Sequence, residues 1–306
     1  MRFLHLSAIV CAILLLTIPL NAQENEPTSL DGRGYGLYIS SAYDVLEENE
    51  VPLLIALHGA GDTWQNFYGG TGLINLAEQE GMIVAFPQAY QNEWNDGRTG
   101  IHDEDDVQIL RDLIERVDRD FRVDLERVYL IGFSNGGTMA FQAVCEAPEL
   151  FAGMASVAGG MNTATAGGCE TQLPVMITHS TFDQVVSFNG NQTQLPVPLT
   201  VEFWVNQNDC EIGDVPDFND ALFRDGSAFY FYEDCPDGNL VMLHALQRVP
   251  HTWPGASDYL RNTTPTPAYL DTARLIWGFF EISQQAREDA RANPAEATPE
   301  ATESAD

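Results

Sequence analysis

Short uninterrupted apolar runs alternate along this chain with longer stretches where apolar residues recur every three or four positions. Val51 to His58 (VPLLIALH), Met82 to Phe86 (MIVAF), Arg127 to Phe133 (RVYLIGF) and Pro174 to His179 (PVMITH) are apolar almost throughout. Such runs suit strands covered on both faces. Gly59-Ala60-Gly61 ends the first run and Pro87 the second. Asp105 to Phe121 has the other period. Val107, Leu110, Ile114, Val117 and Phe121 share one face of a predicted helix. Leu199 to Asn208 and Ala268 to Phe280 predict two more helices, and Phe229 to Tyr232 and Leu240 to Leu246 two more strands. Ser187 to Pro198 reads as a Pro-broken loop, and no internal repeat is visible. Alternating strands and helices predict an α/β fold, a mostly parallel sheet with helices on both faces.

The two ends do not share this pattern. Residues 1–22 carry a positive charge at Arg2, an apolar stretch from Leu6 to Leu16 and the small residue Ala22, the pattern of a secretory signal peptide. The apolar run is shorter than the ~20 residues a membrane span needs, and Cys11 lies inside that run instead of after it, against a lipoprotein. The protein is therefore expected to be secreted or periplasmic, with no stable membrane insertion after cleavage. Residues 23–33 read as a lead-in, 34–284 as the body, and 285–306 as a solvated acidic tail of Ala, Pro, Thr and Glu.

Composition narrows the function. The chain has 306 residues and a net charge of −31, with 14 Lys plus Arg against 45 Asp plus Glu. All 14 cations are arginine, so a lysine Schiff base or a Walker-type lysine is excluded. A surface this acidic repels phosphate, which argues against nucleic acid and anionic membranes as partners. It also suggests adaptation to salt, which screens repulsion among carboxylates. The cluster Asp103-Glu104-Asp105-Asp106 lacks the ligand and glycine spacing of a calcium loop. Asp105 and Asp106 are better read as helix-capping carboxylates. Beyond the leader stand Cys145, Cys169, Cys210 and Cys235, an even number in an oxidising compartment. Three pairings are open, and no C-x-x-C spacing points to zinc.

The sharpest chemical signal is Gly132-Phe133-Ser134-Asn135-Gly136, a G-x-S-x-G between the strand RVYLIGF and the helical stretch from Gly137 to Cys145. A strand turning sharply into a helix exposes the serine, and flanking glycines remove side chains that would clash. Ser134 is thus the candidate nucleophile. The chain order on such a fold is serine, acid, histidine. His251, in Pro250-His251-Thr252-Trp253-Pro254-Gly255, is the last of six histidines and lies in a loop, which makes it the candidate base. Asp183, just past PVMITH, is the candidate acid. Asp209, Asp214, Asp217 and Asp220 satisfy the order, but no clear strand precedes them. Backbone N–H groups of Asn135 and Ala60, with Gly61 as the alternative to Ala60, are expected to form the oxyanion hole. Trp94 and Trp253 are candidates for an aromatic or polymer-binding wall, or equally for the core.

Taken together, HGAGD, WNDG, DDV, GFSNGG and HTWPG resemble the secreted polyhydroxybutyrate depolymerase/feruloyl esterase group of α/β-hydrolases, related to carbohydrate esterase family 1. The resemblance runs from about Gly34 to Phe280. It implies an α/β-hydrolase fold, an acyl ester as substrate, polymeric or small, and no cofactor. It supports Ser134, Asp183 and His251 one by one and favours a Cys210–Cys235 disulfide. Ser180 departs from the glycine expected before the acid. Arg248-Val249-Pro250 replaces a Gly-rich approach to the histidine. A serine peptidase with the same triad and a noncatalytic polymer-binding protein are the rival readings.

Overall fold

The structure is a computed structural model and describes residues 28–46, 49–211, 226–256 and 270–293. The expected leader, the rival acids Asp214, Asp217 and Asp220, and the residues beyond Asn293 lie outside the described residues. In chain order, β1 (Thr28–Leu30), β2 (Arg33–Ile39) and β3 (Val51–Leu57) are followed by α1 (Trp64–Gly70), α2 (Leu73–Glu80) and β4 (Ile83–Pro87). Next come α3 (Asp106–Asp120), β5 (Val123–Phe133), α4 (Asn135–Glu146), β6 (Gly153–Val157) and α5 (Thr163–Gly168). The chain continues through β7 (Val175–Ser180), α6 (Val197–Gln207), β8 (Ser227–Tyr232), β9 (Val241–Leu246) and α7 (Thr272–Ala292).

The described strands form one sheet in the order β1-β2-β4-β3-β5-β6-β7-β9-β8. Its middle, from β4 to β9, is parallel, and β1, β2 and β8 pair antiparallel at the margins. Strands β3, β5, β6 and β7 are wholly or largely buried, as their unbroken apolar sequences require. The α/β-hydrolase fold expected from sequence is present. From β3 the chain steps to β4 on one side and then to β5 on the other. The loops leaving β3 and β5 therefore part at the carboxyl ends of these strands, where α/β sheets hold their ligands.

Helix α3 begins where its capping residues predict. Asp105 accepts the Gln108 N–H at 2.9 Å. Asp106 instead turns inward, bonding Arg33 and accepting the Asn95 N–H at 2.6 Å. The sequence expectation holds no counterpart of α1, α2 or α5, and three further features differ from it. The fold already includes β1 at Thr28, ahead of the boundary expected at Gly34. The Asp31-Gly32 pair, with φ of 48° and 75°, closes a β1–β2 hairpin, as Asp-Gly does in two-residue turns. Strand β6 (GMASV) was not anticipated, being short and poor in β-branched residues. Helix α7 runs on to Ala292, through the start of the stretch read as a tail. Its second half is docked: Arg287 donates to the Ala152 carbonyl at 2.8 Å, and Gly238 lets the helix backbone approach at Ala286.

Candidate active site

Strand β5 ends at Phe133 and α4 starts at Asn135, leaving one residue to turn the chain. That residue, Ser134, has φ of 55° and ψ of −120°, a conformation L-residues adopt only under strain. The turn is held closed on both sides. Ser134 N–H donates to Val157 O at 2.9 Å, and Thr138 N–H donates to Ser134 O at 3.0 Å. A Cβ on Gly132 would sit 2.1 Å from Gly136 O, and one on Gly136 2.4 Å from Leu57 O. Glycine is therefore required on either side of the serine, and the hydroxyl is left partly exposed above the sheet.

His251 reaches this hydroxyl from 117 positions further along the chain: its Nε2 lies 2.8 Å from Ser134 Oγ. Its Nδ1 lies 2.7 Å from Asp183 Oδ2. An ionised carboxylate accepts only, so Nδ1 carries the proton and Nε2 offers its lone pair to the serine. Phe133 packs against the imidazole with ring centroids 5.1 Å apart. The other oxygen of Asp183 accepts the N–H groups of Val185 and Val186 at 2.8 and 2.9 Å. The aspartate thus shapes its own turn and still directs one oxygen at the histidine. Burial alone would raise its pKa, but the His251 hydrogen bond and charge, with the Val185 N–H, hold it below the ordinary carboxylate value. Ser180, in place of the expected glycine, accepts the Phe182 N–H at 3.1 Å and braces the same turn.

The loop after β3 faces this centre, with Gly59 Cα so close that an added Cβ would lie 3.4 Å from Ser134 Cβ. Gly61 N–H is engaged by Asn92 O at 2.7 Å, while Ala60 is exposed at the bend. Asn135 is the first residue of α4, where a backbone N–H has no intrahelical acceptor. Buried His58 anchors the loop. Ala89 N–H donates to its Nε2 at 3.1 Å, so Nδ1–H donates to Gly59 O at 2.8 Å. Burial lowers its pKa and keeps the ring neutral in that role.

A family model described as Esterase PHB depolymerase matches residues 33–192, slightly more than half of the chain. The chain belongs to this family. It is a carboxylic ester hydrolase. Its relatives include NocK of Nocardia uniformis subsp. tsuyamanensis, named as an esterase, at 28% identity over 74% of this chain and 72% of that protein. Feruloyl esterase B of Piromyces equi is 30% identical over 64% of this chain but only 38% of its own length. Among solved structures, the acetyl xylan esterase of Aspergillus awamori superposes with a TM-score of 0.56 at 15% identity, covering 82% of this chain and 94% of that one. That likeness establishes the shared fold.

Within this esterase, neither Trp94 nor Trp253 lines a cleft; both are fully buried. Trp94 donates its indole N–H to His58 O at 2.9 Å, and Trp253 packs edge-on against Phe67 at 5.4 Å. Position beside the site left a binding wall and the core equally open, and full burial places both rings in the core. The cysteines pair in sequence, Cys145 with Cys169 and Cys210 with Cys235. Three supporting residues were not evident from the sequence: His179, Gln88 and Asp96. His179, buried in β7, has Nε2 3.8 Å from Asp183 Oδ2 and hydrogen-bonds Val186 O at 2.9 Å. Its spacing four before the acid was the one available signal. Gln88 accepts the Trp64 N–H at 2.9 Å and donates to Asn92 Oδ1 at 3.0 Å. Asp96 lay within the WNDG motif, but nothing in the chain order points to its partners.

Proposed function

We propose that the esterase cleaves carboxylic esters by a two-step acyl transfer with Ser134 as nucleophile, His251 as general base and acid, and Asp183 as the orienting carboxylate. The observation that carries this reading is the unbroken hydrogen-bond line from Asp183 through His251 to Ser134, at 2.7 and 2.8 Å. As Oγ bonds to the ester carbon, its proton passes to His251 Nε2. The carbonyl electrons move onto oxygen, where the N–H groups of Ala60 and Asn135 receive the charge. Collapse of this intermediate breaks the bond to the alcohol, which leaves with the His251 proton. Water then attacks the acyl-enzyme and gives its proton to His251; release of the acid returns that proton to Ser134. Engagement of Gly61 N–H elsewhere supports Ala60 over Gly61 as the second donor.

The substrate class proposed is a feruloyl or acetyl ester of plant polysaccharide, or a polyhydroxyalkanoate-type polyester, as the family relationship and the feruloyl, acetyl xylan and poly(3-hydroxybutyrate) relatives suggest. Work outside the cytoplasm is supported by the leader pattern of residues 1–22 and by two disulfides. Turnover of p-nitrophenyl acetate, methyl feruloyl ester and a poly(3-hydroxybutyrate) film, beside a peptide substrate, tests the reading. Ester hydrolysis that Ser134→Ala reduces by at least about 10³-fold is expected. Peptide cleavage without ester cleavage, or full activity in the variant, would overturn it.

A further inference from the structure

The segment from Asn92 to Asp96 has no part in the acyl transfer, yet it touches both loops that supply oxyanion donors. On the β3 side, Asn92 O accepts the Gly61 N–H at 2.7 Å, and the Trp94 indole donates to His58 O at 2.9 Å. On the α4 side, Trp94 N–H donates to Asn135 Oδ1 at 2.7 Å. The Asn135 amide nitrogen in turn donates to Trp94 O at 3.1 Å and to Asp96 Oδ2 at 2.6 Å. Asp96 is fully buried. Arg98 Nε donates to both its oxygens, at 2.8 and 2.9 Å, and the Asn162 amide donates to its backbone carbonyl at 2.6 Å.

We propose that Asp96 is a positioning residue of the oxyanion hole, acting through the side chain of Asn135. The proposal rests on the acyl-transfer reading above. The direction of the Asn135 N–H is set by ψ of Ser134 and φ of Asn135, and Ser134 holds a strained conformation that would relax if freed. Three hydrogen bonds on the Asn135 side chain oppose that rotation. A carboxylate can only accept, so Asp96 dictates which end of the Asn135 amide faces it and leaves Oδ1 for the Trp94 N–H. An asparagine at position 96 has a donor as well and loses that control.

The test is Asp96→Asn assayed on p-nitrophenyl acetate and against an alkyl trifluoromethyl ketone, whose serine adduct places an oxyanion in the hole. The expected result is a fall in kcat of about 10- to 100-fold, with KM changed less than about threefold. Ketone affinity should weaken by the same factor as kcat. In an Asn135→Ala background, which keeps the backbone N–H but removes the tether, Asp96→Asn should have no further effect. Additive losses in the double variant, or unchanged ketone affinity, would overturn the proposal. If Asp96→Asn loses its near-ultraviolet circular dichroism, Asn135→Ala alone decides: parallel losses of kcat and ketone affinity support the tether, and wild-type values refute it. Failure of the acyl-transfer reading looks different, because the unmutated protein would then neither hydrolyse the ester nor bind the ketone.

Discussion

His251 leaves 13% of its side chain open to solvent while bonding a carboxylate and a hydroxyl, whereas His58, His179 and His244 are buried. Burial pushes all three buried rings below the usual histidine pKa, His244 to about 4. In the unfolded chain these rings take up protons near the ordinary value of about 6.5. The folded state therefore has its full advantage above that pH and loses it as the pH falls toward 4, by about 3 kcal/mol for His244 alone. Urea midpoints should fall steeply between pH 6.5 and 4, and His244→Phe, which keeps a ring where His244 stacks on Phe229 at 4.5 Å, should flatten the slope. An unchanged slope would mean that His244 is not the sensor. That Ser134, Asp183 and His251 would meet was legible in the sequence because a strained turn, a strand end and chain order are local or ordinal signals. His179, Gln88 and Asp96 were not, since their importance comes only from what folding brings beside them.

Strands β3, β4, β5, β7 and β9 and helices α3 and α6 could be read from apolar runs and the helical period, each with ends within a few residues. The hairpin of β1 and β2 was missed despite Asp31-Gly32, because β2 is interrupted by Gly34 and Gly36. A Cβ on Gly36 would lie 2.3 Å from the Trp64 ring, so that interruption is a packing requirement. The length of α7 was missed for the opposite reason. Its last turns are polar, held by Gln284–Glu288 and Gln285–Asp289 side-chain bonds at 2.9 Å and by the Arg287 contact with Ala152. Ending the chain after residue 284 should therefore lower the melting temperature, whereas removal of a merely solvated tail would leave it unchanged. The two tryptophans make a second prediction. Trp253→Ala empties a fully buried site against Phe67 and should cost about 3–5 kcal/mol in denaturant unfolding. A folded variant with wild-type stability and weakened polymer binding would favour the binding wall over the core role.

Acidity and sheet order act on the molecule as a whole. With a net charge of −31 and no lysine, each arginine pair, such as Arg111–Glu149 or Arg291–Glu126, offsets only part of the repulsion among carboxylates. Salt screens that repulsion over about 8–10 Å near physiological strength and over shorter distances at molar concentrations. The melting temperature should rise from low to molar NaCl, and a flat or falling curve would rule out salt adaptation. The order of the sheet, in turn, is what brings the loop after β3, the turn after β5 and residues 183 and 251 to one end of the parallel strands. Peptide-mapped mass spectrometry after reaction with a fluorophosphonate identifies the nucleophile itself. A single adduct is expected, on Ser134, forming far more slowly in His251→Gln. An adduct on another residue, or none on protein that still hydrolyses esters, would contradict it.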